Sequence, residues 1–150
     1  MLSTRLVSLI ESHWEEIASR LIRALRSNPE MECLAKQPDI ELREWCQEIL
    51  EHLGYLLSAP KDDEVRRRFE VLGRVRFEEH VPLHEAVLRL QILKDKILGF
   101  MHEQSLPVSG IQLYAERELE QRTNRFFDAL IYHIVHGYEM ALRRNYQAAS

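Results

Sequence analysis

The side chains through which this 150-residue chain would do metal or nucleophilic chemistry are seven histidines and two cysteines. A zinc hydrolase needs two imidazoles on one helix face with a glutamate beside the first, the His-Glu-x-x-His spacing. His84-Glu85 and His102-Glu103 begin that pattern, but Leu88 and Leu106 stand where the second imidazole belongs. A di-iron helix bundle needs Glu-x-x-His pairs, and none of His13, His52, His80, His84, His102, His133 or His136 has a glutamate three residues before it. His80 and His84 are four apart, yet Pro82 lies between them and turns their side chains apart. Both read as solvated helix-end residues. His133 and His136 share a face of the last helix, where a structural or interface role is expected. No metal site is predicted.

The remaining chemistry is equally thin. Cys33 and Cys46 lack the Cys-x-x-Cys spacing of a zinc or redox site, and two thiols make no disulfide framework, which suits a reducing compartment. No two glycines lie close enough to build a phosphate loop. No nucleophile sits in a recognisable elbow, and the acids scatter over charged helix faces. No catalytic residue and no cofactor follow from these spacings, and the chain is not expected to be an enzyme. Arg66, Arg67 and Arg68, with Arg74 and Arg76, form the densest positive segment. Three consecutive residues fan out around a helix, so this reads as solvated surface. A net charge of −4 gives no electrostatic reason to seek nucleic acid.

The elements that would carry these residues are helices throughout. Leu6, Leu9, Ile10, Trp14, Ile17, Leu21 and Leu25 step by three and four, one buried helical stripe. Asn28-Pro29 reads as an N-cap with proline in the first helical position, opening a short second helix that Pro38 ends. Leu42 to Leu57 carries a third, stopping before Pro60, and Lys61 to about His80 a fourth, with Phe69 and Leu72 in its core. Pro82 starts a fifth through Met101, and Pro107 separates it from the last, where Ser109 and Gln112 have the spacing of a capping box. Five glycines and five prolines leave few turns, and strand-like alternation is absent. The reading is one all-α domain over 1–150. Hydrophobic (45%) and charged (29%) fractions are those of a globule. Neither a signal peptide nor a membrane span is legible, so a cytoplasmic location is expected.

The last helix is unusual for its length, about 35 residues or roughly 50 Å. Phe127, Ile131, Ile134, Tyr138 and Ala141 step as a heptad seam. Leu130, Val135, Leu142 and Tyr146 widen the apolar surface beyond one stripe. Two readings stay open: a central core helix, or a core helix that is also the seam of a homodimer. Gly137 within it marks a close helix crossing or a bend.

Two segments, LGRVRFEEHVPLHEAVLRL (Leu72 to Leu90) and NRFFDALIYHIVHGYEMALRR (Asn124 to Arg144), carry a resemblance. They look like the N-terminal domain of RsbR-type regulators, the RsbRD N-terminal family, with helix order agreeing over nearly the whole chain. The resemblance implies a globin-like bundle without haem, dimerisation through the final helices and a sensory role in bacterial stress signalling. It also implies a downstream partner or an output domain, often a STAS domain. None follows Ser150, which reads as a stand-alone member or a piece cut at the domain edge. Haem-binding sensor globins resemble the same stretch, but Arg76 takes the position matching their haem-ligating histidine. A guanidinium stays protonated and offers iron no lone pair. The expectation is a non-enzymatic, non-haem sensory domain acting through dimer packing. The alternative is an apolar-ligand- or haem-binding globin-like protein with a pocket among Phe69, Phe77, Leu90 and the last helix.

Overall fold

The computed structural model describes residues 3–58, 67, 70, 71, 74, 75 and 78–149. Among them are helices α1 (Thr4–Ser12), α2 (Trp14–Ser27), α3 (Asp39–Leu50), α4 (Leu53–Ser58), α5 (Leu83–Gln104) and α6 (Gly110–Ala149). A 3-10 turn, Leu34–Lys36, sits between α2 and α3. Arg67, Glu70, Val71, Arg74, Val75 and Glu78 are helical too. No strand occurs among the described residues, so the all-α expectation holds. Phe69 and Leu72, expected in the core of the fourth helix, and Arg76 and Phe77, on which the haem comparison and the ligand-pocket alternative partly rest, lie outside the described residues.

The first apolar stripe is real, but two helices carry it. At His13 the backbone leaves helical geometry (φ −108°, ψ 26°). The Leu9 carbonyl there accepts from the His13 amide (2.9 Å), the His13 Nδ1 (2.9 Å) and the Ser12 Oγ (3.3 Å). Side chains that capture a local carbonyl compete with the next helical turn. The helix expected after Asn28 is instead a turn. The Asn28 Oδ1 accepts from the Glu30 amide at 2.9 Å, and only the three residues of the 3-10 turn follow. The third expected helix divides at Glu51–His52 into α3 and α4.

The final helix is the longest, and Gly137 does not break it. Its 40 residues extend about 60 Å. Ser109 caps it through the Gln112 amide (3.2 Å), while the Gln112 Oε1 reaches back to the Val108 amide (2.8 Å), one residue beyond the N-cap amide of a standard capping box. The core sits where α5 crosses α2 and α6. Ile17, Leu21, Leu25, Leu42, Cys46, Ile49, Leu90, Leu93 and Ile97 share one buried cluster with Phe100, whose ring lies 5.9 Å from that of His13 and beneath Arg20.

Candidate functional site

Three features of the chain go beyond plain core packing, and each is built from residues that apolar periodicity alone would misassign. The first lies at the start of α5. Glu85 occupies the third helical position, from which a glutamate ordinarily returns to the N-cap amide. Here the N-cap is Pro82, which has no N–H. The carboxylate turns instead to the chain before α3, where its Oε1 accepts from the amides of Cys33 (2.8 Å) and Leu34 (2.9 Å). Glu85 is 1% exposed. One helical turn on, Arg89 is buried with its guanidinium 3.9 Å from the centre of the Trp45 ring, a cation–π contact. Partial desolvation and then the Glu85 charge raise the Cys33 thiol above its ordinary range. Burial pushes the Cys46 thiol up to about 12. Sequence periodicity missed Glu85 and Arg89, and a glutamate three residues after a proline cap was the available signal.

The second feature is the crossing at Gly137. The residue is buried, and a Cβ built on it would overlap the Glu70 carbonyl oxygen and stand 2.8 Å from the Glu70 Cα. Of the two sequence readings of this glycine, the close crossing is the one found. Beside it the His136 Nδ1 lies 2.8 Å from the Glu70 Oε1, and the His133 Nδ1 lies 4.0 Å from the same oxygen. Tyr132 stacks on His136 (6.0 Å, 8°) and meets His133 edge-on (5.3 Å, 76°). His133 and His136 therefore serve one contact between α6 and the Glu70-bearing face. His80 and His84 are both exposed, and His80 is the one non-glycine residue with positive φ (60°) among the described residues.

The third feature is how α6 distributes its apolar rows. Leu119, Thr123, Phe127, Leu130, Ile134, Gly137 and Ala141 form its buried stripe. Phe127, Ile134 and Ala141, expected as part of a pairing seam, are thus covered by the chain's own helices. Ile131 and Tyr138, the other two seam residues, are half-buried. Three of the five expected seam residues thus lie in the stripe that packs inward. A second row, Ile131, Val135, Tyr138, Leu142 and Tyr146, lies about 100° around the helix. It passes from half-buried to exposed, with Tyr146 at 74%.

No group of His, Cys, Asp or Glu side chains suited to a metal occurs among the described residues, and none of their helices is long and apolar enough to cross a membrane. Comparison with known proteins supplies the relationship. No curated protein and no solved structure matches the chain. Residues 15–150 match the family described as the RsbT co-antagonist protein RsbRD N-terminal domain. That match takes in every helix from α2 to α6, including both segments that carried the resemblance, and the chain therefore belongs to the RsbRD N-terminal domain family.

Proposed function

We propose that this domain is a non-enzymatic input module of stress-type signalling, globin-like and free of haem, which acts through the packing of α6 in a homodimer and on a downstream partner or output domain. The family relationship over residues 15–150 carries the regulatory part of this reading. The two apolar rows of α6 support the rest. One row fastens the helix to its own core, and beyond it Leu142 and Tyr146 are exposed, the surface on which a second copy would pack. A helix shared by core and interface transmits a change from either to the other, provided that the two packings differ in affinity for the signal. Arg76 at the position of the haem-ligating histidine supports working without haem.

In a two-fold interface each residue of the row is used twice. The associating surface must offset about 4–15 kcal/mol of lost freedom. Sedimentation over a wide concentration range tests the pairing. The wild type is expected to dimerise, and Val135→Glu with Leu142→Glu is expected to give a folded monomer. Ile134→Glu serves as the contrast, because it places a charge in the core and should unfold the chain. A wild type that stays monomeric at high concentration removes the pairing route.

A further inference from the structure

Against a chain whose net charge is −4, one concave surface is locally basic. A groove of about 320 Å³ runs between the helical face bearing Glu70 and the last third of α6. Arg67 and Arg74 line it from one side and Arg144 from the other. Among the described residues Arg67 and Arg144 have no carboxylate partner, and Arg74 has a 4.0 Å contact with Glu78. Glu70, the one carboxylate among the described lining residues, is already held by His136 at 2.8 Å. Three arginines therefore border a space whose own acid is engaged. The floor is apolar, formed by Val71, Met140 and Ala141, with Gly137 adding depth because it has no side chain.

We infer that this groove binds a small anion with a compact apolar body, such as a short-chain alkyl phosphate or carboxylate. Guanidinium forks match the planar oxygens of both groups and hold them by charge-assisted hydrogen bonds. The apolar floor takes the hydrocarbon part. The volume is at the small end of ligand pockets, and its concavity between two helices suits a free molecule over the flat face of a bilayer, which offers similar headgroups. The ligand would sit against the Glu70–His136 contact and the Gly137 crossing, where the Glu70 backbone lies directly against α6. Its role as an input rests on the sensory reading above, whereas the binding itself does not.

The test is a titration followed by amide chemical shifts, with hexyl phosphate, inorganic phosphate, hexanol and phosphatidylglycerol vesicles as separate probes. Hexyl phosphate is expected to saturate one site, to move the amides of Gly137 and Ala141, and to bind at least about tenfold more tightly than inorganic phosphate or hexanol. Arg67→Ala and Arg144→Ala, both at exposed positions, should each weaken it about tenfold with unchanged helix content. Equal binding of inorganic phosphate overturns the proposal, as do undiminished binding by both arginine variants, absence of saturation with every soluble probe, and binding to vesicles alone. Sedimentation remains separate. A monomer that binds hexyl phosphate keeps the site and loses the signalling route, while a dimer that binds none of the soluble probes does the reverse.

Discussion

The backbone carbonyl of Glu70 occupies the space that a Cβ on residue 137 would take. Glycine in a helix interior costs about 1 kcal/mol relative to alanine, so the close approach decides the residue. Gly99, inside α5, has nothing within 4 Å of its would-be Cβ. Chemical denaturation should therefore separate two identical substitutions. Gly99→Ala is expected to stabilise by up to about 1 kcal/mol. Gly137→Ala is expected to destabilise by about 1–3 kcal/mol, because backbone must move. Equal stabilisation by both would remove the crossing.

Glu85→Ala should cost about 2–4 kcal/mol, since it leaves the Cys33 and Leu34 amides without their acceptor beside a buried arginine. Glu85→Gln keeps a carbonyl oxygen and should cost less. Hydrogen exchange at Leu34 gives the local readout. Its amide is expected to lose protection in Glu85→Ala while amides in the middle of α2 exchange at rates set by global stability alone.

Alkali should weaken the fold in part through Cys46. The folded chain keeps this thiol protonated to about pH 12, whereas an ordinary cysteine releases its proton near 9.0. Between those values the folded state binds more protons than the unfolded state, so stability falls as pH rises. Below the lower value the contribution is fully present. Cys46→Ala should lower stability at neutral pH by leaving a small cavity, yet flatten the decline above pH 9. Identical slopes for the two proteins would assign the decline to other groups.

His80→Gly is expected to stabilise. His80 holds a left-handed φ of 60° just before Val81-Pro82, a conformation that glycine adopts without cost at helix C-termini. The side chain is exposed, so little contact is lost with it. A gain of about 0.5–1 kcal/mol in thermal or urea unfolding is the expected result, and a loss would mean that the imidazole makes a contact worth more than the strain.

The all-α class and the length of the last helix were legible because both rest on local information, a 3.6-residue period and a capping serine. Interruptions were not. The row from Leu6 to Leu25 passes straight through His13, and the break depends on an imidazole reaching back to the Leu9 carbonyl. The Asn28-Pro29 signal was outweighed from a distance, since the carboxylate that holds the next turn is more than fifty residues away. The same limit applies to the candidate sites. Phe127, Ile134 and Ala141 show an apolar period, but periodicity cannot say whether the covering surface belongs to the same chain. Arg144 and Arg67 are far apart in sequence, and only the crossing at Gly137 places them around one groove.

The uninterrupted hydrogen bonding of α6 has a mechanical consequence. From Gly137 the helix extends about 18 Å to Ala149 and about 40 Å back to Gly110, at 1.5 Å per residue. A tilt of about 10° at that fulcrum would displace the near end by about 3 Å and the far end by about 7 Å, in opposite directions. The rod thus has unequal arms, and a slight rocking at the Gly137 crossing becomes a travel of side-chain dimensions at its tips.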